Sequence, residues 1–124
     1  MSRSIFQVYV KGSIEAVELY QKAFDAKIVS EHKNENGSYM HVELDVFGQI
    51  VALAEALPEA GERIAGSTMQ LCFHLDKDKE ETIKKAYEIL KEDADIHFSL
   101  GESFFSPLMF GLIDKYGVNW NLFL

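Results

Sequence analysis

Two residues on one alternating stretch carry side chains that could do chemistry together. His41 and Glu43 lie two residues apart in the segment from Tyr39 to Val46, where polar and apolar residues alternate. Residues two apart on a β-strand point to the same face, so an imidazole and a carboxylate would lie side by side. Such a pair could act as a general acid and base, or could form a non-standard metal site with His74. A solvated or structurally hydrogen-bonded pair is the other interpretation.

Other alternating segments carry neutral polar residues opposite an apolar face. An antiparallel sheet can expose such a face to water, but Cys72 and Phe123 on these faces belong to residue types that favour burial. We therefore predict that the polar faces line a half-open cavity, with Phe105 as a lid from the apolar loop that runs from Phe104 to Phe110. Amides donate and accept hydrogen bonds without a charge, which suits a polar neutral or zwitterionic ligand. The candidate ligand-binding residues are Gln7, Tyr9, His41, Gln70, His74, Phe105 and Asn121.

Motifs of other chemistries do not occur in the sequence. There is no GxSxG, GxGxxG, P-loop, HExxH or CxxC, so serine hydrolases, dinucleotide enzymes and common zinc sites are disfavoured. Cys72 is the single cysteine, which excludes an intrachain disulfide. We expect it to be a small buried residue, because a nucleophilic thiol needs an activating base.

Charge and length limit the classes of partner. The chain has 124 residues, enough for one domain, and a net charge of −8 from 12 basic and 20 acidic residues. Nucleic acids and anionic membrane surfaces are attracted by basic patches, so neither is an expected partner. The acidity could instead favour a cationic ligand. The sequence shows no signal peptide and no apolar stretch of membrane-spanning length, so we expect a cytoplasmic protein.

The spacing of apolar residues predicts the order βαβββ twice. We expect one domain, 1–124, made of a first module at about 1–56, a linker at about 57–67 and a second module at about 68–124. The predicted apolar faces of four strands would pack under the helices. Ser13 is expected to cap the first helix and Asp78 to start the second with Glu81. The four faces are Phe6/Val8/Val10, Met40/Val42/Leu44/Val46, Leu71/Phe73/Leu75 and Val118/Trp120/Leu122.

Three segments resemble motifs of one superfamily. They are Glu15 to Ala26, like "EAxxFYxxxFGA"; Met40 to Gly48, like "MHxELxxxG"; and Phe110 to Trp120, like "FGxxxDKFGVxW". With the repeated βαβββ order, they resemble the vicinal oxygen chelate superfamily, which includes glyoxalase I, bleomycin-resistance proteins and extradiol dioxygenases. The chain looks most like its PhnB-like branch. The resemblance implies an α+β fold of two βαβββ modules that form a half-open, mostly antiparallel barrel with the helices outside.

The resemblance also implies where a metal would bind. Metal-dependent members place ligands on the first and last strands of each module, at positions that correspond to about Ile5, Ala52, Gln70 and Asn121 in this chain. Ile5 and Ala52 offer no donor atom, and neutral amides are poor ligands for a divalent transition ion. We therefore predict no metal and no cofactor.

The resulting hypothesis is a protein of the glyoxalase and bleomycin-resistance type that binds a small organic ligand in a cavity between the modules. A lyase, isomerase or dioxygenase with an atypical metal site on His41, Glu43 or His74 is the alternative, so the sequence leaves open whether the protein is an enzyme. The branch is often labelled as a demethylubiquinone methyltransferase, but this chain has no glycine-rich loop for a methyl donor. Superfamily members are commonly dimers, and the apolar loop offers a contact surface, so a homodimer is expected.

Overall fold

The computed structural model describes residues 2–124. Each half of the chain has one helix and four strands, in the order βαβββ, so the predicted α+β class and the repeat are confirmed. A short 3₁₀ turn at Pro58–Ala60 lies between the halves. The first half contains β1 (Phe6–Val10), α1 (Ser13–Phe24), β2 (Lys27–Lys33), β3 (Tyr39–Val46) and β4 (Gln49–Glu55). The second contains β5 (Leu71–His74), α2 (Glu80–Leu90), β6 (Asp95–Gly101), β7 (Met109–Ile113) and β8 (Asn119–Phe123).

The chain divides into two compact units, which meet in sequence between Ile64 and Ala65. We call them module one and module two. Each contains an open four-stranded sheet, with strand order β1-β4-β3-β2 in module one and β5-β8-β7-β6 in module two. In both sheets the first and last strands of the module are parallel neighbours and the other pairs are antiparallel. The two sheets therefore repeat one topology.

The strand registers define which residues share a face. In module one, Gln7 lies beside Ala52, which lies beside Glu43. In module two, Cys72 lies beside Asn121, which lies beside Gly111. Cross-strand partners point to the same side of a sheet. We call the face that carries Gln7, Ala52 and Glu43 the polar face of module one. The face that carries Cys72, Asn121 and Gly111 is the polar face of module two.

The opposite faces are apolar and face the helices. In module two, Phe110, Leu112, Trp120 and Leu122 are fully buried, and Tyr87 of α2 packs against Phe110 with ring centres 5.3 Å apart. In module one, α1 contacts β3 and β4, in which Val42, Leu44 and Leu53 are fully buried. Apolar burial at about 25 cal/mol per Å² is the main stabilising term of each module.

The prediction is wrong for two residues of the apolar faces, which are exposed rather than buried. Met40 is 57% exposed because it is an extra residue in β3: Lys33 pairs with Tyr39 and His32 with His41, which leaves Met40 without a partner. Such a bulge reverses the alternation of the strand locally, and Tyr39 is buried instead. Phe6 is 46% exposed because it begins β1, an edge strand.

Both predicted helix caps are also wrong. Gly12 is the N-cap of α1, and the Glu55 carboxylate accepts hydrogen bonds from the backbone N–H groups of Gly12 and Ser13. Ser13 Oγ instead accepts a hydrogen bond from the Tyr39 N–H at 2.9 Å, which ties α1 to β3. Lys79 is the N-cap of α2, without a side-chain hydrogen bond. None of the helices in the described part of the chain is long and apolar enough to span a membrane.

Candidate functional site

The polar face of module two carries a cluster of amides. Gln70 Nε2 donates a hydrogen bond to Asn119 Oδ1 at 3.3 Å. Asn121 lies two residues from Asn119 on β8, so it shares the face, and Cys72 Sγ lies 3.9 Å from Asn121 Oδ1. Within residues 2–124, the Gln70 carbonyl oxygen and the Asn121 amide nitrogen have no hydrogen-bond partner. One acceptor and one donor of this cluster are therefore available to a ligand.

Gly111 has no side chain, and the amides of Gln70 and Asn121 meet in the space above its backbone. A Cβ at Gly111 would lie 3.3 Å from Asn121 Nδ2 and 3.9 Å from Gln70 Nε2. The two side chains therefore come together over the same residue of β7, as the sequence predicts for pseudo-equivalent strand positions. They lie on the face opposite α2, since Trp120 and Leu122, which alternate with Asn121, are fully buried. The lack of a side chain at Gly111 gives the amide cluster a shallow floor of bare backbone.

Aromatic rings border the amide cluster along the same strands. His74 and Phe123 stack in parallel, with ring centres 4.5 Å apart and an interplanar angle of 6°. Phe105 contacts the Phe123 ring edge-on at 5.4 Å. The structure thus brings together Gln70, Asn121, His74 and Phe105, four predicted ligand residues, in module two. From the sequence alone, Phe123 is only a residue of a type that favours burial. The structure shows that it also stacks on His74.

Cys72 differs from its sequence-based prediction. It is exposed on the polar face rather than buried. Partial desolvation raises the pKa of its thiol, so the thiolate is less populated than in an ordinary cysteine. Cys72 therefore contributes surface to the face and is not an activated nucleophile.

Glu43 lies at the centre of the polar face of module one and is held by two partners. Arg3 donates from its two terminal nitrogens to the two carboxylate oxygens, at 2.8 and 3.1 Å. His41 Nε2 lies 2.9 Å from Glu43 Oε2. The Glu43 side chain is only 7% exposed, so the pair is structurally hydrogen-bonded, as one interpretation of the sequence has it, and Glu43 is not solvated. The hydrogen bond from Arg3, followed by that from His41, lowers the pKa of Glu43 to about 2.

These contacts decide what the His41–Glu43 pair can do. A carboxylate with a pKa near 2 is ionised at neutral pH and is a weak base. Because it stays ionised, His41 Nε2 is the donor of their hydrogen bond. Both oxygens of Glu43 are already occupied by donors, so a metal would have to displace Arg3 or His41. The pair is therefore suited to hold the shape and charge of the face rather than to exchange protons.

Gln7 and Tyr9 are adjacent on the same face, at its β1 edge. Gln7 Nε2 donates to the Tyr9 hydroxyl at 3.1 Å. Arg63, from the segment after the 3₁₀ turn, lies over the Tyr9 ring, with its guanidinium carbon 3.7 Å from the ring centre. Sequence reasoning missed Arg63, since it lies in a segment that reads as a linker and no local pattern marks it.

The residues at the implied metal positions do not fit a transition metal. Ile5 and Ala52 have no donor, and the Gln70 amide already binds Asn119. Among residues 2–124, no group of three or more His, Cys, Asp or Glu side chains is placed to hold a metal ion. A divalent ion bound by neutral amides alone would be weakly held.

Similar proteins were sought by sequence and by structure. No protein-family model matches the sequence, and no curated protein matches it significantly. A PhnB protein from Bacillus cereus, described as a putative 3-demethylubiquinone-9 3-methyltransferase, is 26% identical over 99% of both chains, with a TM-score of 0.82. Solved fosfomycin resistance proteins are also structural neighbours, and both groups belong to one superfamily. This chain has the fold of the vicinal oxygen chelate proteins.

The more distant vicinal oxygen chelate structures support the fold. Protein PA1353 from Pseudomonas aeruginosa is 16% identical over 99% of this chain and 97% of its own, with a TM-score of 0.79. FosX from Listeria monocytogenes, solved with Mn(II) and a dihydroxypropylphosphonic acid, is 12% identical over 98% and 88%, with a TM-score of 0.68. The predicted glyoxalase-like fold and the PhnB-like resemblance are confirmed. Fold alone does not carry a ligand or a reaction from one vicinal oxygen chelate protein to another.

Proposed function

We propose that the protein binds a small polar organic ligand through the amide cluster of module two, without a metal. The observation that carries this proposal is the meeting of Gln70 and Asn121 over Gly111, where one carbonyl oxygen and one amide nitrogen are available. Ligand sites combine a few converging polar groups with apolar and aromatic walls. Here His74, Phe123 and Phe105 supply the aromatic surface.

The donor and acceptor pattern selects a class of ligand. An adjacent donor and acceptor match a neutral group that has both, such as an amide, a lactam or a hydroxy-carbonyl unit. An apolar or aromatic body beside that group would pack on the rings at the border of the cluster.

The metal-enzyme alternative rests on the likeness to FosX, which was solved with Mn(II). It would need His41, Glu43 or His74 as ligands. Glu43 is engaged on both oxygens, and His74 is stacked on Phe123. We therefore favour binding without a metal, while catalysis on a bound ligand stays open.

The first test is a thermal-shift screen of neutral and zwitterionic compounds, on protein purified without chelator or metal-affinity resin. The affinity of each hit is then measured by calorimetry for wild type, Asn121→Leu and a control, Gln21→Leu, which removes an amide from α1. We expect Asn121→Leu to weaken binding about tenfold or more, the effect of losing one hydrogen bond between neutral groups and leaving its partner on the ligand unpaired. Equal affinity of all three proteins would contradict the proposal. Elemental analysis showing stoichiometric zinc, nickel, iron or manganese would favour the enzyme alternative.

A further inference from the structure

Arg63 adds a positive charge to the polar face of module one. Its guanidinium lies over the Tyr9 ring, at 3.7 Å from guanidinium carbon to ring centre. The Tyr9 hydroxyl is held in turn by Gln7, at 3.1 Å. Stacking on an aromatic ring occupies the faces of a guanidinium and leaves its N–H groups, which lie in its plane, free to bind. The stack therefore presents an oriented row of donors at the edge of the face.

The positive charge of Arg63 has no ion-pair partner among residues 2–124. The chain contains only two arginines, Arg3 and Arg63. Arg3 is neutralised by Glu43 through two hydrogen bonds. Within the described part of the chain, no carboxylate lies within hydrogen-bonding or ion-pair distance of Arg63. An unpaired arginine beside a candidate ligand face is notable in a chain with twenty acidic residues.

We infer that Arg63, lying over Tyr9, is an oxyanion-binding subsite on the polar face of module one that recognises a carboxylate or a phosphonate or phosphate group of a small organic acid. The in-plane N–H groups of a guanidinium match two oxygens of such a group, and these charge-assisted bonds are among the stronger hydrogen bonds. The positive charge of Arg63 favours an anion at this position, whereas the net charge of −8 by itself favours a cationic ligand. This inference concerns module one by itself and goes beyond the function proposed for the amide cluster of module two.

Three compounds with one ring and different head groups test the inference. They are benzoate, phenylphosphonate and the neutral benzamide, titrated into ¹⁵N-labelled full-length protein while the amide signals of Gln7 and Tyr9 are followed by NMR. We expect benzoate or phenylphosphonate, and not benzamide, to shift these signals. The comparison of the first two compounds shows which kind of anion is preferred.

Variants then separate charge from position. We expect Arg63→Gln to weaken binding of the preferred anion about tenfold. Arg63→Lys keeps the charge but loses the paired in-plane N–H donors, so we expect it to weaken binding less. Lys22→Gln, which removes one charge from the exposed side of α1, is the matched control and should leave binding unchanged. An equal effect of Lys22→Gln would indicate net charge alone and would overturn the inference, as would the absence of shifts with both anions up to their solubility limits.

The failure of this inference differs from the failure of the proposed function. If the probes bind equally and Arg63→Gln changes nothing while Asn121→Leu weakens binding, the subsite is wrong and the amide site stands. If Arg63→Gln weakens anion binding and Asn121→Leu has no effect on any compound, the amide site is wrong and the subsite stands.

Discussion

Glu43 is a nearly buried carboxylate whose partners fix its ionisation. The hydrogen bonds from Arg3 and His41 lower its pKa from 4.5 to about 2. A group whose pKa is lower in the folded state stabilises the fold above its unfolded pKa. That contribution is lost as the pH falls from about 4.5 toward about 2. Glu43 is therefore a source of acid sensitivity in module one.

The variant Glu43→Gln tests whether the ionised Glu43 carboxylate makes stability depend on pH. It cannot ionise, so we expect its free energy of unfolding to vary less with pH than that of wild type below about pH 4.5. Urea melts at a series of pH values measure the difference. Glu35→Gln, on the exposed turn between β2 and β3, is the control and should follow wild type. Parallel curves for wild type and Glu43→Gln would contradict the pairing.

Gly111 is the residue whose absent side chain shapes the amide cluster. In Gly111→Ala the new Cβ would lie 3.3 Å from Asn121 Nδ2, and the amide must move by a few tenths of an ångström. We expect ligand affinity to fall, with a stability change of about 1 kcal/mol or less because the side chain can rotate. Calorimetry and denaturant melts measure the two. Gly101→Ala, whose Cβ would meet only Ser99 O at 3.8 Å, should leave binding unchanged; a loss there too would point to a general effect of strand glycines.

At the scale of elements, the β7–β8 turn explains why the Phe110 to Trp120 motif looks as it does. The buried Asp114 accepts hydrogen bonds from the backbone N–H groups of Tyr116 and Val118 and from Trp120 Nε1, the last at 2.8 Å. Gly117 has φ +87° and a Cβ there would clash with Ala65 Cβ at 2.9 Å. The motif is thus a structural one, which positions β8 and with it Asn119 and Asn121.

Trp120 should be the most costly side chain to remove from this element. It is fully buried, stacks near Phe73 and binds Asp114. We expect Trp120→Ala to lower the free energy of unfolding by about 3–5 kcal/mol. Ile64→Ala is the control: Ile64 is 88% exposed, so its loss should change stability by about 0.5 kcal/mol or less. A loss below about 1 kcal/mol for Trp120→Ala would contradict its place in the core.

The alternation of residues predicted most elements and the face of each amide, because side-chain direction on a strand follows from local geometry. It could not predict the bulge at Met40, since an extra residue leaves the composition of the strand unchanged. Nor could it predict that Arg3 binds Glu43 or that Arg63 covers Tyr9. Those contacts join residues far apart in sequence and depend on the path of the whole chain.

At the scale of the whole molecule, the exposed aromatic loop predicts self-association. Phe104 and Phe105 are both exposed, and large exposed apolar groups often mark contact surfaces. We propose a homodimer and expect light scattering at about 50 μM to give twice the mass of the chain, in the micromolar affinity range of modest interfaces. Phe104→Ser should shift the mass toward the monomer, whereas Ile64→Ser, at another exposed apolar residue, should not. A monomeric mass for wild type would remove the proposal.

The ligand proposed for the amide cluster is organic and is bound without a metal. The most direct measurement is calorimetric titration of the best screening hit into wild type and Asn121→Leu, before and after treatment with a chelator. We expect chelation to leave wild-type affinity unchanged and Asn121→Leu to lose about tenfold or more in both conditions. Binding that disappears on chelation, returns with Mn(II) or Zn(II) and is indifferent to Asn121→Leu would contradict it.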